Sequence, residues 1–396
     1  MAADARRLAG AALAGAMREA RATTLARTLD LDDDASRVPQ QAGVNLVAWE
    51  LGHLAWFAEF WILRGPHHLG SDGFVAAAKA PTIAGPDAIF DSARIAHADR
   101  WRVELPSRGV LQARLERQLA ACIDAIPRDG GDDSAHYFHR LALFHEDMHG
   151  EAFAWLRATL GWPAPAGTTP LASLPAREPL TISGGELVLG GAAAARGFAF
   201  DNEQPPLPVR LAAFEIDSTP VRNAEFARFV DVGGYDDADL WPGAAGAWRA
   251  CQSRPHPARW RRNTDGAWQM RWFDRWHALD PDAPVIHVSA WEAEAYCRWT
   301  KRRLPSAAEW ECAARDPRFH WGHGVWEWTA DAFLPYPGFL AGPYTDYSKP
   351  WFGDHRELRG GAFATHERLH DRSYRNFFVA DRNDVFAGFR TAALQR

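Results

Sequence analysis

Hydrophobic positions along this chain follow two different rhythms. Through residue 160 they recur at helical spacing; beyond residue 180 they come in short runs separated by glycines. Residues 8–29 predict a first amphipathic helix. Residues 45–63 predict a second, containing Trp49-Glu-Leu-Gly-His53-Leu-Ala-Trp-Phe57, that is apolar on nearly every side and therefore central in a bundle. Arg64-Gly-Pro-His-His breaks it, and the polar stretch to Gly85 reads as irregular. Residues 107–126 predict a third helix with Leu111, Leu115, Leu119 and Cys122 on one face. A turn and N-cap region at residues 129–135 opens a fourth helix ending near Leu160.

Residues 162–180 are rich in proline and small residues and read as a linker. From Thr181 onward, Thr-Ile-Ser-Gly-Gly-Glu-Leu-Val-Leu-Gly-Gly predicts a strand pair with glycine turns. Helices are expected at 222–230, 290–300 and 306–315, the last opened by the capping box Ser306-Ala-Ala-Glu309. The expectation is an α+β protein of two domains, 1–161 and 181–396, joined by the linker at 162–180.

The chemistry concentrates in the fourth helix, at His145-Glu-Asp-Met148-His149-Gly-Glu151. Histidines four apart lie about 40° apart around a helix, so both imidazoles can reach one metal ion. His53, in the buried second helix, needs a partner there, and a metal is a good one. Glu151 lies about 120° from His145 and about 160° from His149 on the helical wheel. It cannot easily join them, whereas Glu146 could act as an outer orienting group. His136 and His139 lie off that face and read as structural or surface residues. A three-histidine site with open positions suits zinc hydrolysis or iron oxygen chemistry, and spacing does not choose between them.

Composition narrows the classes. The net charge of −6 gives no electrostatic reason to expect nucleic acid, and no apolar run is long enough to cross a bilayer. Asp4 and Glu19 interrupt the alanine-rich start, which reads as a helix rather than a signal peptide. Cys122, Cys251, Cys297 and Cys312 form no CxxC pair and read as free thiols, which places the protein in the cytoplasm. The 19 tryptophans are an outlier, and a few of them could wall a pocket for a cationic ligand.

Several stretches resemble known families. The N-terminal half resembles a DinB-type four-helix bundle. The C-terminal half is similar to the formylglycine-generating-enzyme domain, a C-type-lectin-like fold, through Phe200-Asp-Asn-Glu-Gln-Pro205, Thr219-Pro-Val-Arg-Asn-Ala-Glu-Phe226, Pro284-Val-Ile-His-Val-Ser-Ala-Trp-Glu-Ala293, Arg303-Leu-Pro-Ser-Ala-Ala-Glu-Trp-Glu311, Val325-Trp-Glu-Trp-Thr329, Arg359-Gly-Gly-Ala-Phe363 and Ala387-Gly-Phe-Arg390. That pairing resembles the EgtB-type ergothioneine sulfoxide synthases, non-haem iron enzymes that use dioxygen to join sulfur to the imidazole of hercynine. No cysteine follows Cys312, so the cysteine-pair chemistry of the formylglycine-generating enzymes is not expected here.

The resemblance implies Fe(II) held by His53, His145 and His149, with Tyr344 as the catalytic tyrosine, a phenol able to supply a proton and an electron beside the metal. It implies that Tyr347, Asn376 and Phe377 bind hercynine, and that Arg359 and Arg390 hold the fold. Three departures stand out. Met148 replaces a glutamine of the best-known members, Phe378 replaces an acidic residue, and the segment 85–101 has Arg94 and Arg100 in place of an arginine cluster that grips γ-glutamylcysteine. Met148 and Phe378 thereby become donor-site candidates. The pattern is most similar to the selenoneine synthase (SenA-type) branch, which joins a selenosugar, 1-seleno-glucose, to hercynine and releases selenoneine through a selenoxide. Three other readings remain. One is an ergothioneine-type synthase taking cysteine, γ-glutamylcysteine or a thiosugar. The others are a zinc DinB-type thiol transferase, and a binding module without catalysis.

Overall fold

The computed structural model describes residues 4–31, 38–127, 133–190, 197–322 and 324–395. The chain divides into two compact units. The first comprises Met1–Leu160 with two later segments, Ala193–Ala199 and Ala341–Tyr347. The second comprises Gly161–Ala192, Phe200–Leu340 and Ser348–Arg396.

The first unit is built on four helices, α1 (Gly10–Thr28), α2 (Val47–Ala58), α4 (Arg108–Asp124) and α5 (Tyr137–Leu160), with a single helical turn α3 (Asp87–Phe90) between α2 and α4. Helix α1 packs on α5, and α2 packs on α4 and α5. Every residue from Trp49 to Ala58 is buried, as expected of a helix apolar on nearly every side at the centre of a bundle. Past Ala58 the helix widens to a π-turn over Glu59–Leu63 and stops at Arg64. The stretch expected to be irregular holds a small antiparallel hairpin, β1 (His67–Leu69) and β2 (Val75–Ala77). Its turn, Gly70-Ser-Asp-Gly73, supplies the backbone freedom that a tight hairpin needs, and Gly73 has φ +83°. Most of the expected cap region at 129–135 lies outside the described residues.

The second unit is assembled from small sheets and short helices. Strands β3 (Pro179–Ile182) and β4 (Gly185–Leu189) do not pair with each other as the glycine turn suggested. Strand β4 pairs with β5 (Leu207–Leu211), and β3 pairs with β6 (Phe214–Asp217), both antiparallel. Gly184 explains the difference. Its φ is +70°, and a Cβ there would meet the carbonyl oxygens of Leu211 and Ala212 at 2.5 Å, so the turn is pressed onto the β5–β6 connection.

Helices α6 (Asn223–Asp231), α7 (Ala244–Cys251), α8 (Ala290–Trp299) and α9 (Ala307–Ala313) follow. They are interleaved with a three-stranded sheet of β7 (Trp260–Arg262), β8 (Trp268–Trp272) and β9 (Arg275–Ala278). The largest sheet has the order β12 (Asn376–Val379), β11 (His355–Arg359), β10 (Trp326–Ala332), β13 (Ala387–Gly388). The expected box closes α9: Glu309 N–H donates to Ser306 Oγ at 3.1 Å, and Ser306 N–H donates to Glu309 at 2.8 Å. Ser289 and Glu292 close α8 in the same way. Arg359 and Arg390 are fully buried and paired with Glu311 and Glu327, so both are structural. The four cysteines are free. Among the described residues, no helix is long and apolar enough to cross a membrane.

Candidate metal centre

Helix α2 supplies the first donor. Gly52 lets the ring of Phe90 press onto the helix; a Cβ there would lie 2.1 Å from that ring. The same Phe90 offers its carbonyl oxygen to His53 Nδ1 at 2.7 Å. A carbonyl only accepts, so Nδ1 carries the proton and Nε2 keeps its lone pair.

Phe90 is held in place from both ends of its approach. Glu59, on the π-turn, accepts N–H donors from Thr82 and Ala84, both at 2.7 Å, and from Ile83 at 3.0 Å. Asp87, in α3, accepts from Trp56 at 2.8 Å and from Arg64 at 2.6 Å.

Helix α5 supplies the other two donors, one turn apart. His53 Nε2 lies 3.3 Å from His145 Nε2, and the His145 and His149 rings are 4.5 Å apart at their centroids. One ring nitrogen from each of the three histidines falls within 4.8 Å of the others, a spacing that can hold a metal ion. Burial drives the pKa of His53 and His145 well below the ordinary histidine value, so both are neutral and ready to ligate. A set of three imidazoles, with no carboxylate or thiolate joining it among the described residues, fits a mid-series divalent metal that keeps open positions.

Aromatic side chains fix these donors. Phe57 stacks on His145 at 3.6 Å, while Trp49 and Trp56 stack on His53 at 4.8 and 5.8 Å. Those two tryptophans are almost wholly buried and support the candidate ligand His53 rather than forming open cation walls.

The segment Ala341–Tyr347 belongs to the same unit and brings Tyr344 in. Its ring centre lies 6.4 Å from His145 and 5.0 Å from Phe57. Over the whole residue Tyr344 is half-buried, but its hydroxyl end is enclosed and hydrogen-bonded by the Ser92 side chain. Burial, then the charges of Asp346 and Asp91, hold this phenol far above its ordinary pKa. Asp91 is itself pushed up to about 6, chiefly by burial. Tyr347 sits on Met148, its hydroxyl 3.9 Å from the thioether sulfur.

The remaining candidates fall elsewhere. Glu146 faces Arg21 at 2.7 Å and orients no histidine, which corrects the outer role considered for it. Glu151 acts on the half-buried Arg27. His136 and His139 are buried structural residues, and His139 Nε2 lies 3.0 Å from the Cys122 carbonyl. Arg94 is engaged by Asp72 at 3.0 Å and Asp91 at 3.3 Å, and Arg100 by Asn45 at 2.7 Å.

Asn376, Phe377 and Phe378 belong to the second unit, on β12. There Phe377 N–H donates to the Asn376 side-chain oxygen at 2.8 Å, Phe377 stacks on Phe333 at 4.1 Å, and Arg382 lies over Phe378 at 4.9 Å.

One group near the histidines was missed in the sequence. Glu50 lies 3.3 Å from His149 Nδ1. Its signal was an acid three residues before His53 in an otherwise apolar helix.

Comparison with known proteins agrees with this architecture. Residues 16–154 match the DinB superfamily, and residues 167–324 match the sulfatase-modifying factor enzyme 1-like domain. The chain is 31% identical to the hercynine oxygenase of Mycolicibacterium thermoresistibile, over 96% of this chain and 94% of that one. It is 32% identical to the hercynine oxygenase of Mycobacterium tuberculosis, over 96% and 98%. The formylglycine-generating enzyme of Streptomyces coelicolor is 30% identical over 54% of this chain and 89% of its own length.

Proposed function

The chain belongs to the hercynine oxygenase family, and on that premise we propose that it joins hercynine to a selenosugar in a reaction driven by iron(II) and dioxygen. The products are a C–Se-linked selenoxide and, after loss of the sugar, selenoneine. His53, His145 and His149 hold the metal. Bound there, iron(II) supplies one-electron chemistry toward dioxygen.

In the bond-forming step the imidazole C–H and the selenol Se–H are lost and a C–Se bond forms. Of the two dioxygen atoms, one ends on selenium and the other in water, so atoms and electrons balance. Releasing selenoneine from the selenoxide also requires an external thiol reductant.

The chain's own residues position and protonate. Tyr344 stays a protonated phenol across the working pH range, because burial and two nearby carboxylates oppose its ionisation. It therefore keeps a proton, and an electron, to give. Phe57 aligns this phenol with His145 through contacts to both rings. Tyr347 and Met148 form one polarizable patch, a thioether where an amide would hydrogen-bond more strongly. For Asn376, Phe377 and Phe378 the support is the motif at 374–378 alone: an amide and aromatic faces suit a betaine.

The observation that carries the choice of donor is the charge around Tyr344. Arg94 is engaged by Asp72 and Asp91 and Arg100 by Asn45, while the charges of Asp346 and Asp91 act on the phenol and outweigh the opposing charge of Arg100. Such surroundings accept sugar hydroxyls and oppose the carboxylates of γ-glutamylcysteine. A sulfur-donor reading shares the metal, the hercynine and the oxidation, and differs only in this donor end. Anaerobic mixing of the iron-loaded enzyme and hercynine with each donor in turn, followed by oxygen and mass spectrometry, separates the two. Turnover with 1-seleno-glucose and little with γ-glutamylcysteine is expected; the reverse order overturns the selenium reading.

A further inference from the structure

We propose that Glu50 is a positioning residue of the metal centre, fixing His149 with Nδ1 protonated and Nε2 turned to the metal. The inference rests on the three-histidine metal reading and is independent of which donor the enzyme takes.

Glu50 lies on α2, only 3% exposed, in the run from Trp49 to Ala58 where every other residue is buried as well. A carboxylate in such surroundings needs polar partners, and the structure gives one to each oxygen. Oε2 lies 3.3 Å from His149 Nδ1, and Oε1 accepts from the Asn45 side-chain nitrogen at 2.9 Å. A carboxylate accepts, so the histidine nitrogen facing it is the one that donates, and the lone pair is left on Nε2.

Asn45 cannot turn its amide round. Its oxygen accepts from Arg100 Nη1 at 2.7 Å, and the flipped amide would face Arg100 with donors and Glu50 with an acceptor. The same guanidinium lies 3.8 Å over the ring of Trp49, and Trp49 stacks on His53. Arg100 thus supports two of the three histidines, one through Asn45 and Glu50, the other through Trp49. Glu50 and His53 are one turn apart on α2, so one helix both donates a ligand and orients another.

His53 is fixed the same way by a backbone carbonyl, with Phe90 as the acceptor. A ligating histidine whose far nitrogen is held by an acceptor keeps one tautomer and is a stronger ligand, and loss of such a partner typically costs about 10–100-fold in metal affinity. A carboxylate that merely filled space in the bundle would not change the metal's spectrum.

Cobalt(II) is the probe, added anaerobically to the full chain and to Glu50→Gln and Glu50→Ala, each checked for native circular dichroism. The dissociation constant is expected to rise about 10-fold or more in Glu50→Ala and less in Glu50→Gln, with a shift of the cobalt ligand-field band in both. Unchanged affinity and spectrum in both folded variants overturn the proposal. Glu50 is buried and its removal can unfold the chain, so a second measurement uses the native protein. In the zinc-loaded chain with nitrogen-15 histidine, His149 should show a protonated Nδ1 and a metal-bound Nε2; the opposite tautomer overturns the proposal. Neither readout involves donor or product, so each can fail without the selenium reading failing.

Discussion

Phe57 lies flat on His145, with ring centroids 3.6 Å apart and an interplanar angle of 4°, and its edge meets the ring of Tyr344 at 5.0 Å. One fully buried ring therefore sets both a candidate ligand and the phenol. Phe57→Leu keeps an apolar side chain but removes the flat support. Its stability should fall by about 1–2 kcal/mol from the lost packing. Product yield per bound metal should fall further than metal occupancy does. Thermal unfolding, metal stoichiometry and product analysis on one preparation check this, and full yield per metal would contradict it.

Tyr344→Phe isolates the hydroxyl. The ring contacts with Phe57 and His145 survive, while the proposed proton donor and the Ser92 hydrogen bond are lost. Removing a positioned proton donor costs about 100-fold or more in rate. Product formation from hercynine should fall by that order with cobalt(II) affinity unchanged. A variant that keeps normal turnover would remove Tyr344 from the chemistry.

Gly52→Ala sets two effects against each other. Helix propensity alone favours alanine by about 1 kcal/mol. Packing opposes it, because the new Cβ would overlap the ring of Phe90, which has no exposed surface and whose carbonyl holds His53. Overpacking of this kind costs about 1–3 kcal/mol. The variant should be less stable than the parent and should bind cobalt(II) more weakly. A raised melting temperature would show that α2 and Phe90 are not in close contact.

Asp91 predicts a pH signature. Burial pushes its carboxyl up to about 6 from the ordinary value of 3.8, so the folded protein holds this proton more tightly than the unfolded chain does. Its contribution to stability is therefore greatest at acid pH, is lost as pH rises from about 4 to about 6, and stays lost above that. Asp91→Asn does not titrate. It should be more stable than the parent by about 1–3 kcal/mol at pH 7.5, with the difference shrinking toward zero near pH 4. Denaturant melts at the two pH values measure it. If Asp91 also receives donor hydroxyls, the same variant should show a raised KM for the selenosugar.

How much of this was legible in the sequence depended on how local each feature is. The His145–His149 pair follows from helical periodicity, and His53 from being a polar residue in a helix apolar on nearly every side. The capping box at Ser306 and Glu309 is local as well. The misread features are long-range. Glu146 meets Arg21, 125 residues away, so no reading of α5 alone could remove it from the metal. The partners of β3 and β4 are chosen by the close approach of Gly184 to Leu211 and Ala212. Residues 341–347 read as part of the C-terminal domain, yet they pack within the helical unit and carry Tyr344 into it. Nothing in the sequence marks the Phe90 carbonyl, because every residue has one. Glu50 was within reach: a carboxylate one turn before His53 in a buried helix calls for a partner.

The proposed preference for a selenosugar over a charged thiol can be measured in one reaction. The direct measurement is a one-pot competition. Iron-loaded enzyme, hercynine and oxygen are given equal concentrations of 1-seleno-glucose and γ-glutamylcysteine, and the two conjugates are counted by mass spectrometry at low conversion. The selenium conjugate is expected to dominate. A majority of the sulfur conjugate would contradict the proposed preference.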